Sequence, residues 1–124
     1  MNLQLTGKTA LVTGASVGIG RGIAKALAAE GVRVAVSARR VDKLQELSAE
    51  IVAAGGHAPV IIESDLYAED AAKRLTDAAL AGLGSVDILV NNAGGSRSFK
   101  ELHVSEEAWQ EAITLNFHRP RQVA

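Results

Sequence analysis

The chain has 124 residues, of which 48% are hydrophobic and 22% are charged, a composition typical of one globular domain. Thirteen basic and fourteen acidic side chains give a formal net charge of -1, which excludes the broad positive field that attracts nucleic acids and anionic membranes. The chain contains no cysteine, so disulfide frameworks and thiolate metal sites are excluded as well. We therefore expect a cytoplasmic protein that binds no metal, no nucleic acid and no membrane, whereas binding of a small molecule remains open.

The first third of the chain alternates short apolar runs with a segment of helical spacing. Residues 9–13 read TALVT and predict a buried strand that stops at Gly14. Residues 18–30 carry apolar side chains at four-residue spacing and predict a helix, which Gly31 ends. Residues 33–37 read RVAVS and predict the second strand.

The same alternation continues along the rest of the chain. Helical spacing begins at Val41 and ends at Gly55, and residues 59–62 predict a third strand with a proline at its start. Residues 68–81 are rich in alanine and predict the third helix, and residues 86–90 predict the fourth strand.

A loop over residues 91–104 and a last helix from Ser105 complete the predicted elements, since Ser105 is followed by two glutamates that suit a first helical turn. Strands that alternate with helices require crossover connections and so predict a parallel α/β sheet. Helices on both faces of that sheet would explain why the strands are continuous apolar runs.

A glycine-rich segment, TGASVGIG, lies between the first predicted strand and the first predicted helix. Backbone N–H groups and the positive end of the helix dipole meet at such a turn, and the missing β-carbons let a pyrophosphate approach. Inside a βαβ unit this turn favours dinucleotide binding, although the glycines could also serve only the tight turn. A P-loop is disfavoured because Lys25, the nearest lysine, lies more than a turn inside the helix.

Two further motifs follow strand ends: Asp65-Leu66 after the third strand and Asn91-Asn92-Ala93-Gly94 after the fourth. Together with TGASVGIG they resemble the classical short-chain dehydrogenase/reductase family. The resemblance implies a Rossmann-type doubly wound parallel sheet, with strand order 3-2-1-4 in the residues present. It also implies a set of cofactor-binding residues, namely Gly14, Ser16, Val17, Gly18, Ile19 and Gly20 at the pyrophosphate turn, Asp65 and Leu66 beside the adenine, and Asn92, Ala93 and Gly94 along the cofactor. Asp65 could instead serve only as the N-cap of the third helix.

The end of the second strand bears on which dinucleotide is bound. Dinucleotide folds that prefer NAD place an acidic residue there, and the family's acidic position falls on Ala38 in this chain. Arg39 and Arg40 follow, and guanidinium groups form charge-assisted hydrogen bonds with phosphate. The pattern therefore favours NADP over NAD, with two solvated arginines as the alternative. Val17 departs from the basic residue that other NADP-dependent members carry at its position.

In the family, a Tyr-x-x-x-Lys pair donates the proton and a serine polarises the substrate oxygen. This chain contains no Tyr-x-x-x-Lys pair, and the catalytic serine is not expected in it either. Tyr67 is the single tyrosine, has Ala71 four residues later, and is interpreted as the start of the third helix. One catalytic residue, Asn116, matches the family's asparagine, and Pro120 would leave its carbonyl without a helical N–H partner.

The resulting hypothesis is that residues 1–124 are the N-terminal, dinucleotide-binding portion of a longer single-domain oxidoreductase. The whole protein would transfer hydride between NADP(H) and a carbonyl or secondary alcohol substrate, and would form a homo-oligomer, a dimer or tetramer. The 124-residue segment alone is predicted to be inactive. The alternative is a non-catalytic dinucleotide-binding module.

Overall fold

The computed structural model describes residues 4–92 together with residues 107, 110, 122 and 123. Among these residues, strands and helices alternate as the sequence predicts. The elements in chain order are β1 (Thr9–Thr13), α1 (Gly18–Ala29), β2 (Arg33–Ala38), α2 (Val41–Ala53), β3 (Val60–Glu63), α3 (Ala71–Leu83) and β4 (Ile88–Val90). Of the predicted last helix, the structure describes residues 107, 110, 122 and 123, which are helical, and most of the predicted loop before it lies outside the described residues.

The four strands form one parallel sheet in the order β3-β2-β1-β4. Val12 in the centre of β1 pairs with Val36 of β2 on one side and with Val90 of β4 on the other. The predicted Rossmann-type α/β class and the strand order 3-2-1-4 are thereby confirmed. All four strands end at the same edge of the sheet, since they are parallel.

Alternate side chains of the strands enter two separate cores, one on each face of the sheet. In β1, Val12 packs on the face covered by α1 and α2, whereas Leu11 packs on the face covered by α3. Val36 and Ala35 of β2 divide in the same way. Burial on both faces explains why these strands are continuous apolar runs. Within the described part of the chain, no helix is long and apolar enough to cross a membrane.

The starts of α3 and β4 lie three and two residues later than predicted, and a hydrogen-bonded turn causes the larger difference. The predicted third helix starts at residue 68, but α3 begins only at Ala71, with Asp70 at its N-cap position. The Asp65 carboxylate accepts a hydrogen bond from the backbone N–H of Tyr67 at 3.0 Å, and the Asp65 carbonyl accepts one from Ala68 at 3.0 Å. This turn postpones the helix, so interpreting Asp65 as its N-cap is wrong.

The strand β4 is shorter than predicted and is attached to β1 at its amino end by Asp87, the residue before it. The backbone N–H and the hydroxyl of Thr9 both donate to Asp87 Oδ2, at 2.9 and 3.2 Å. In return, the Asp87 N–H donates to Thr9 Oγ1 at 3.1 Å. These Thr9–Asp87 contacts are called the amino-end tie below. Hydrogen bonds from the backbone and then the hydroxyl of Thr9 lower the pKa of the Asp87 carboxyl, with Lys8 adding a smaller effect.

The carboxyl ends of β1 and β4 are attached by Asn92 and Thr13. The Asn92 side-chain amide donates to the Gly14 carbonyl at 3.1 Å, and its backbone N–H donates to Thr13 Oγ1 at 3.0 Å. The Thr13 hydroxyl donates in turn to the Val90 carbonyl at 3.3 Å. This group of contacts is called the carboxyl-end tie. It fixes the turn after β1 against the segment after β4.

Candidate dinucleotide site

A pocket of about 310 Å³ opens at the carboxyl ends of the strands, where parallel α/β sheets bind ligands. Segments that follow β1, β2, β3 and β4 all contribute to its walls. The lining residues are Gly14, Ser16, Val17, Ser37, Ala38, Arg39, Ser64, Asp65, Leu66, Tyr67 and Asn92. The structure therefore brings together seven predicted site residues: six from the three predicted motifs, and Arg39 from the end of β2.

The first wall is the turn between β1 and α1. Gly14 and Gly18 both have φ of 64°, in the left-handed region that favours glycine. The N-cap residue of α1 is Val17, whose side chain has no hydrogen-bond acceptor, so no side chain caps the first turn of the helix. A helix starting this way presents its first N–H groups and its positive dipole end to an anion.

Gly20 lies behind this wall and allows two parts of the site to touch. A β-carbon at Gly20 would meet the Gly14 carbonyl oxygen and would lie 2.5 Å from Asn92 Nδ2. Gly20 is buried, whereas Ile19 is exposed on the first turn of α1, and neither residue lines the pocket. The third glycine of the motif thus permits the carboxyl-end tie, which is a packing role.

The two arginines after β2 have different surroundings. Arg40 Nη2 lies 2.8 Å from Asp42 Oδ2, and this contact raises the pKa of Arg40 and lowers that of Asp42. Arg40 does not line the pocket. Arg39 does line it, and the guanidinium carbon lies 6.0 Å from the centre of the Tyr67 ring. Among the described residues, no carboxylate forms an ion pair with Arg39.

The segment after β3 forms the opposite wall. Asp65, Leu66 and Tyr67 all line the pocket, and Leu66 also packs in the core beneath α3. The turn described above holds Tyr67 before the helix begins, so interpreting Tyr67 as the start of the third helix is wrong. Its place in the site was missed because it was assigned to the third helix and not to the turn that precedes that helix.

Three other lining residues were also not predicted as site residues: Ser37, Ala38 and Ser64. Each lies at or just after the end of a strand, and that position is the sequence signal that could have identified them. Lys25 pairs with Glu50 of α2 at 3.5 Å and does not line the pocket. Three predicted site residues, Ala93, Gly94 and Asn116, lie outside the described residues.

Known proteins resemble the chain along nearly its whole length. The profile of the short chain dehydrogenase family matches residues 8–122. A short chain dehydrogenase of Pseudocercospora fijiensis is 51% identical over 119 residues, which cover 94% of this chain and 38% of that protein.

Two solved structures have the same fold. A metagenomic short-chain oxidoreductase in complex with NADP has a TM-score of 0.88 and 42% identity, over 96% of this chain and 54% of that one. A 7α-hydroxysteroid dehydrogenase complexed with NADH has a TM-score of 0.90 and 38% identity, over 98% and 47%. The chain spans about half the length of these two proteins. With its fold, its glycine turn and these relatives, the chain belongs to the short-chain dehydrogenase/reductase family.

Proposed function

We propose that residues 1–124 are the N-terminal, cofactor-binding portion of an NADP-preferring oxidoreductase. The whole protein would transfer hydride between NADP(H) and a carbonyl or secondary alcohol. The observation that carries the cofactor preference is that Arg39 lines the pocket without a carboxylate ion pair among the described residues, next to Ala38 at the end of β2. The related NADP complex supports the same proposal, while the related NADH complex makes NAD the competing cofactor.

The glycine turn fits the pyrophosphate of such a cofactor. Gly14 and Gly18 have backbone conformations that side chains disfavour, and Val17 leaves the helix start without a side-chain cap. Backbone N–H donors therefore point to one place, and no β-carbon of these glycines obstructs it. Such a place suits a doubly charged pyrophosphate. The bound dinucleotide would supply the hydride acceptor or donor, and the residues of the turn would orient it.

Arg39 suits the additional phosphate that distinguishes NADP from NAD. A guanidinium group donates hydrogen bonds to phosphate in a fixed planar arrangement, and a nearby carboxylate would compete for those donors. Asp65 and Leu66 would contact the adenine side of the cofactor, and Asn92, Ala93 and Gly94 would contact it farther along. Arg40 is a weaker candidate because Asp42 already accepts hydrogen bonds from its guanidinium.

The remaining catalytic groups would come from residues beyond these 124. In the chain itself, Tyr67 is the single tyrosine and has Ala71 where a Tyr-x-x-x-Lys pair requires lysine. Asn116 is proposed to support proton transfer in the whole protein, which we also propose to be a homo-oligomer. A carbonyl reduced by hydride needs a proton, so the 124-residue chain alone should not turn over.

The cofactor proposal is tested by titrating the purified protein with NADPH and NADH and following cofactor fluorescence. Hydrogen bonds to charged groups contribute about 1.5–3 kcal/mol, so Arg39→Ala should weaken NADPH binding by about tenfold to a hundredfold. NADH binding should stay nearly constant, because NADH lacks the phosphate. The matched control is Arg40→Ala, which removes the neighbouring charge and should change NADPH affinity far less. Equal affinity of the unaltered protein for both cofactors, or equal losses on Arg39→Ala, would contradict the NADP preference.

A second candidate function is a dinucleotide-binding module without turnover. The absence of a Tyr-x-x-x-Lys pair from the sequence favours it for the 124-residue chain. The discriminating experiment is an NADPH oxidation assay with a panel of ketones, run on the 124-residue chain and on the product of the complete reading frame. Turnover by the longer product alone supports the oxidoreductase proposal, whereas tight NADPH binding without turnover by either one supports the module.

A further inference from the structure

We propose that Tyr67 is a positioning residue for Arg39 and thereby contributes to the discrimination between NADP and NAD. The guanidinium carbon of Arg39 lies 6.0 Å from the centre of the Tyr67 ring, within the range of a cation–π contact. Both residues line the pocket. This inference rests on the proposed function, since it assigns Tyr67 a role in recognising the adenosine phosphate.

The backbone brings the two residues together from neighbouring strands. Arg39 follows β2 directly, and Tyr67 follows β3 by four residues. Ala38 and Glu63 are register partners, and the Ser64 N–H extends that pairing by donating to the Ala38 carbonyl at 3.0 Å. The turn that begins at Asp65 then holds the half-buried Tyr67 ahead of α3. The position of the Tyr67 ring is therefore fixed by a hydrogen-bonded backbone turn.

A ring differs from a carboxylate as a partner for an arginine that must bind phosphate. Asp42 accepts two hydrogen bonds from Arg40. The carboxylate therefore balances the charge of that guanidinium and occupies two of its N–H groups. An aromatic face attracts the guanidinium plane through its quadrupole and leaves the N–H groups at the guanidinium edge available. Tyr67 therefore restricts the orientations of an otherwise exposed Arg39 while preserving its charge and donors.

The expected effect is modest and specific to one cofactor. Cation–π contacts at exposed sites are worth about 0.5–1 kcal/mol, so Tyr67→Leu should weaken NADPH binding by about twofold to fivefold. NADH binding should change much less, because the contact acts through the phosphate partner Arg39. Tyr67→Phe keeps an aromatic face and should retain most of the NADPH affinity.

The decisive experiment is a double-mutant cycle between Tyr67→Leu and Arg39→Ala, with NADPH and NADH titrated against all four proteins. In the Arg39→Ala protein, Tyr67→Leu should cause no further loss of NADPH affinity. Equal losses for both cofactors, or an undiminished loss in the Arg39→Ala protein, would show that the ring contacts the cofactor directly or only supports the fold, and would overturn the inference. Thermal melting identifies a folding defect, and Tyr67→Gln provides a second non-aromatic variant if Tyr67→Leu unfolds.

Failure of this inference can be distinguished from failure of the proposed function. If the unaltered protein binds NADPH no better than NADH, both are wrong. If Arg39→Ala weakens NADPH selectively while Tyr67→Leu and Tyr67→Gln leave both affinities unchanged, the NADP proposal stands and the role of Tyr67 is refuted.

Discussion

Polar side chains hold β1 and β4 together at both ends, but only the carboxyl-end tie has residues that also line the pocket. At the amino end, Thr9 and Asp87 exchange hydrogen bonds with each other, and neither residue lines the pocket. At the carboxyl end, Asn92 binds the Gly14 carbonyl, and both residues line the pocket. The amino-end tie is therefore expected to affect stability alone, whereas the carboxyl-end tie is expected to affect stability and binding together.

Polar residues at the carboxyl edge of a parallel sheet and those at its amino edge therefore call for different functional interpretations. Parallel strands place all their carboxyl ends at one edge, where helix starts also converge, so side chains there can meet a ligand. At the opposite edge the same residue types mainly satisfy one another. The amino-end tie also has a titratable member, which makes its contribution measurable by pH.

Of the variants considered for the two ties, Gly20→Ala should disturb the protein most. The added β-carbon meets the Gly14 carbonyl oxygen and Asn92 Nδ2, so the carboxyl-end tie must open or α1 must shift. Overpacking of this kind costs about 1–3 kcal/mol of the free energy of unfolding. We expect a lower Tm and at least tenfold weaker NADPH binding, measured by thermal melting and fluorescence titration.

Gly22→Ala is the matched control on the same helix. A β-carbon at Gly22 would meet no atom within 4 Å, so alanine should stabilise α1 by about 0.5–1 kcal/mol through helix propensity. NADPH affinity should be unchanged. If both alanine variants behaved alike, the close approach at Gly20 would have no functional consequence.

Asn92→Ala is expected to have an intermediate effect. It removes the side-chain hydrogen bond to the Gly14 carbonyl but keeps the backbone hydrogen bond to Thr13. A hydrogen bond of this kind contributes about 0.5–1.5 kcal/mol, so a modest fall in the free energy of unfolding should accompany weaker binding of both NADPH and NADH. Urea unfolding and cofactor titration measure the two effects. A loss of stability with intact affinity for both cofactors would show that the carboxyl-end tie, like the amino-end tie, affects stability alone.

The smallest effect is expected from Asp87→Asn, and it should depend on pH. Because hydrogen bonds from Thr9 lower the pKa of Asp87 in the folded protein, its carboxylate stabilises the fold above the ordinary pKa of aspartate, about 3.9. That contribution is lost as the pH falls through the lowered pKa.

Thermal melting of Asp87→Asn and the unaltered protein over a range of pH tests this prediction. The unaltered protein should have the higher Tm at pH 7, and the difference should shrink as the pH falls below the ordinary aspartate pKa and through the lowered pKa of Asp87. NADPH affinity at pH 7 should be the same for both proteins. A Tm difference that is constant with pH would mean that the carboxylate charge does not contribute to the amino-end tie.

The strands and most helix boundaries could be predicted because they follow from local patterns. β1 matches its predicted bounds, and α2 begins at the predicted Val41, since apolar runs, helical spacing and glycines act over short distances along the chain. The start of α3 could not be predicted in this way. It depends on a choice between helix and turn, which the side chain of Asp65 decides in favour of the turn.

Site residues could be predicted where their role follows from their position at a strand end. They could not be predicted where the role depends on a side-chain contact with another segment. The glycine turn and Asp65 could be predicted to lie at strand ends from the order of elements. The different surroundings of Arg39 and Arg40 could not, because one contact joins two separate strand ends and the other depends on a side-chain orientation. Tyr67 was missed because the sequence placed it in the third helix, whereas it lies in the turn before α3.

Among the described strands, β4 lies at one edge of the sheet and far along the chain from its partner β1, and this affects how the chain folds. Parallel partners β1 and β2, and β2 and β3, are separated by about 25 residues, whereas Thr9 and Asp87 are separated by 78. Closing the longer loop costs roughly 1 kcal/mol more chain entropy, and β4 offers only three residues to offset it. We therefore expect β3-β2-β1 to assemble first and β4 to dock after them, both during refolding and as the chain leaves the ribosome.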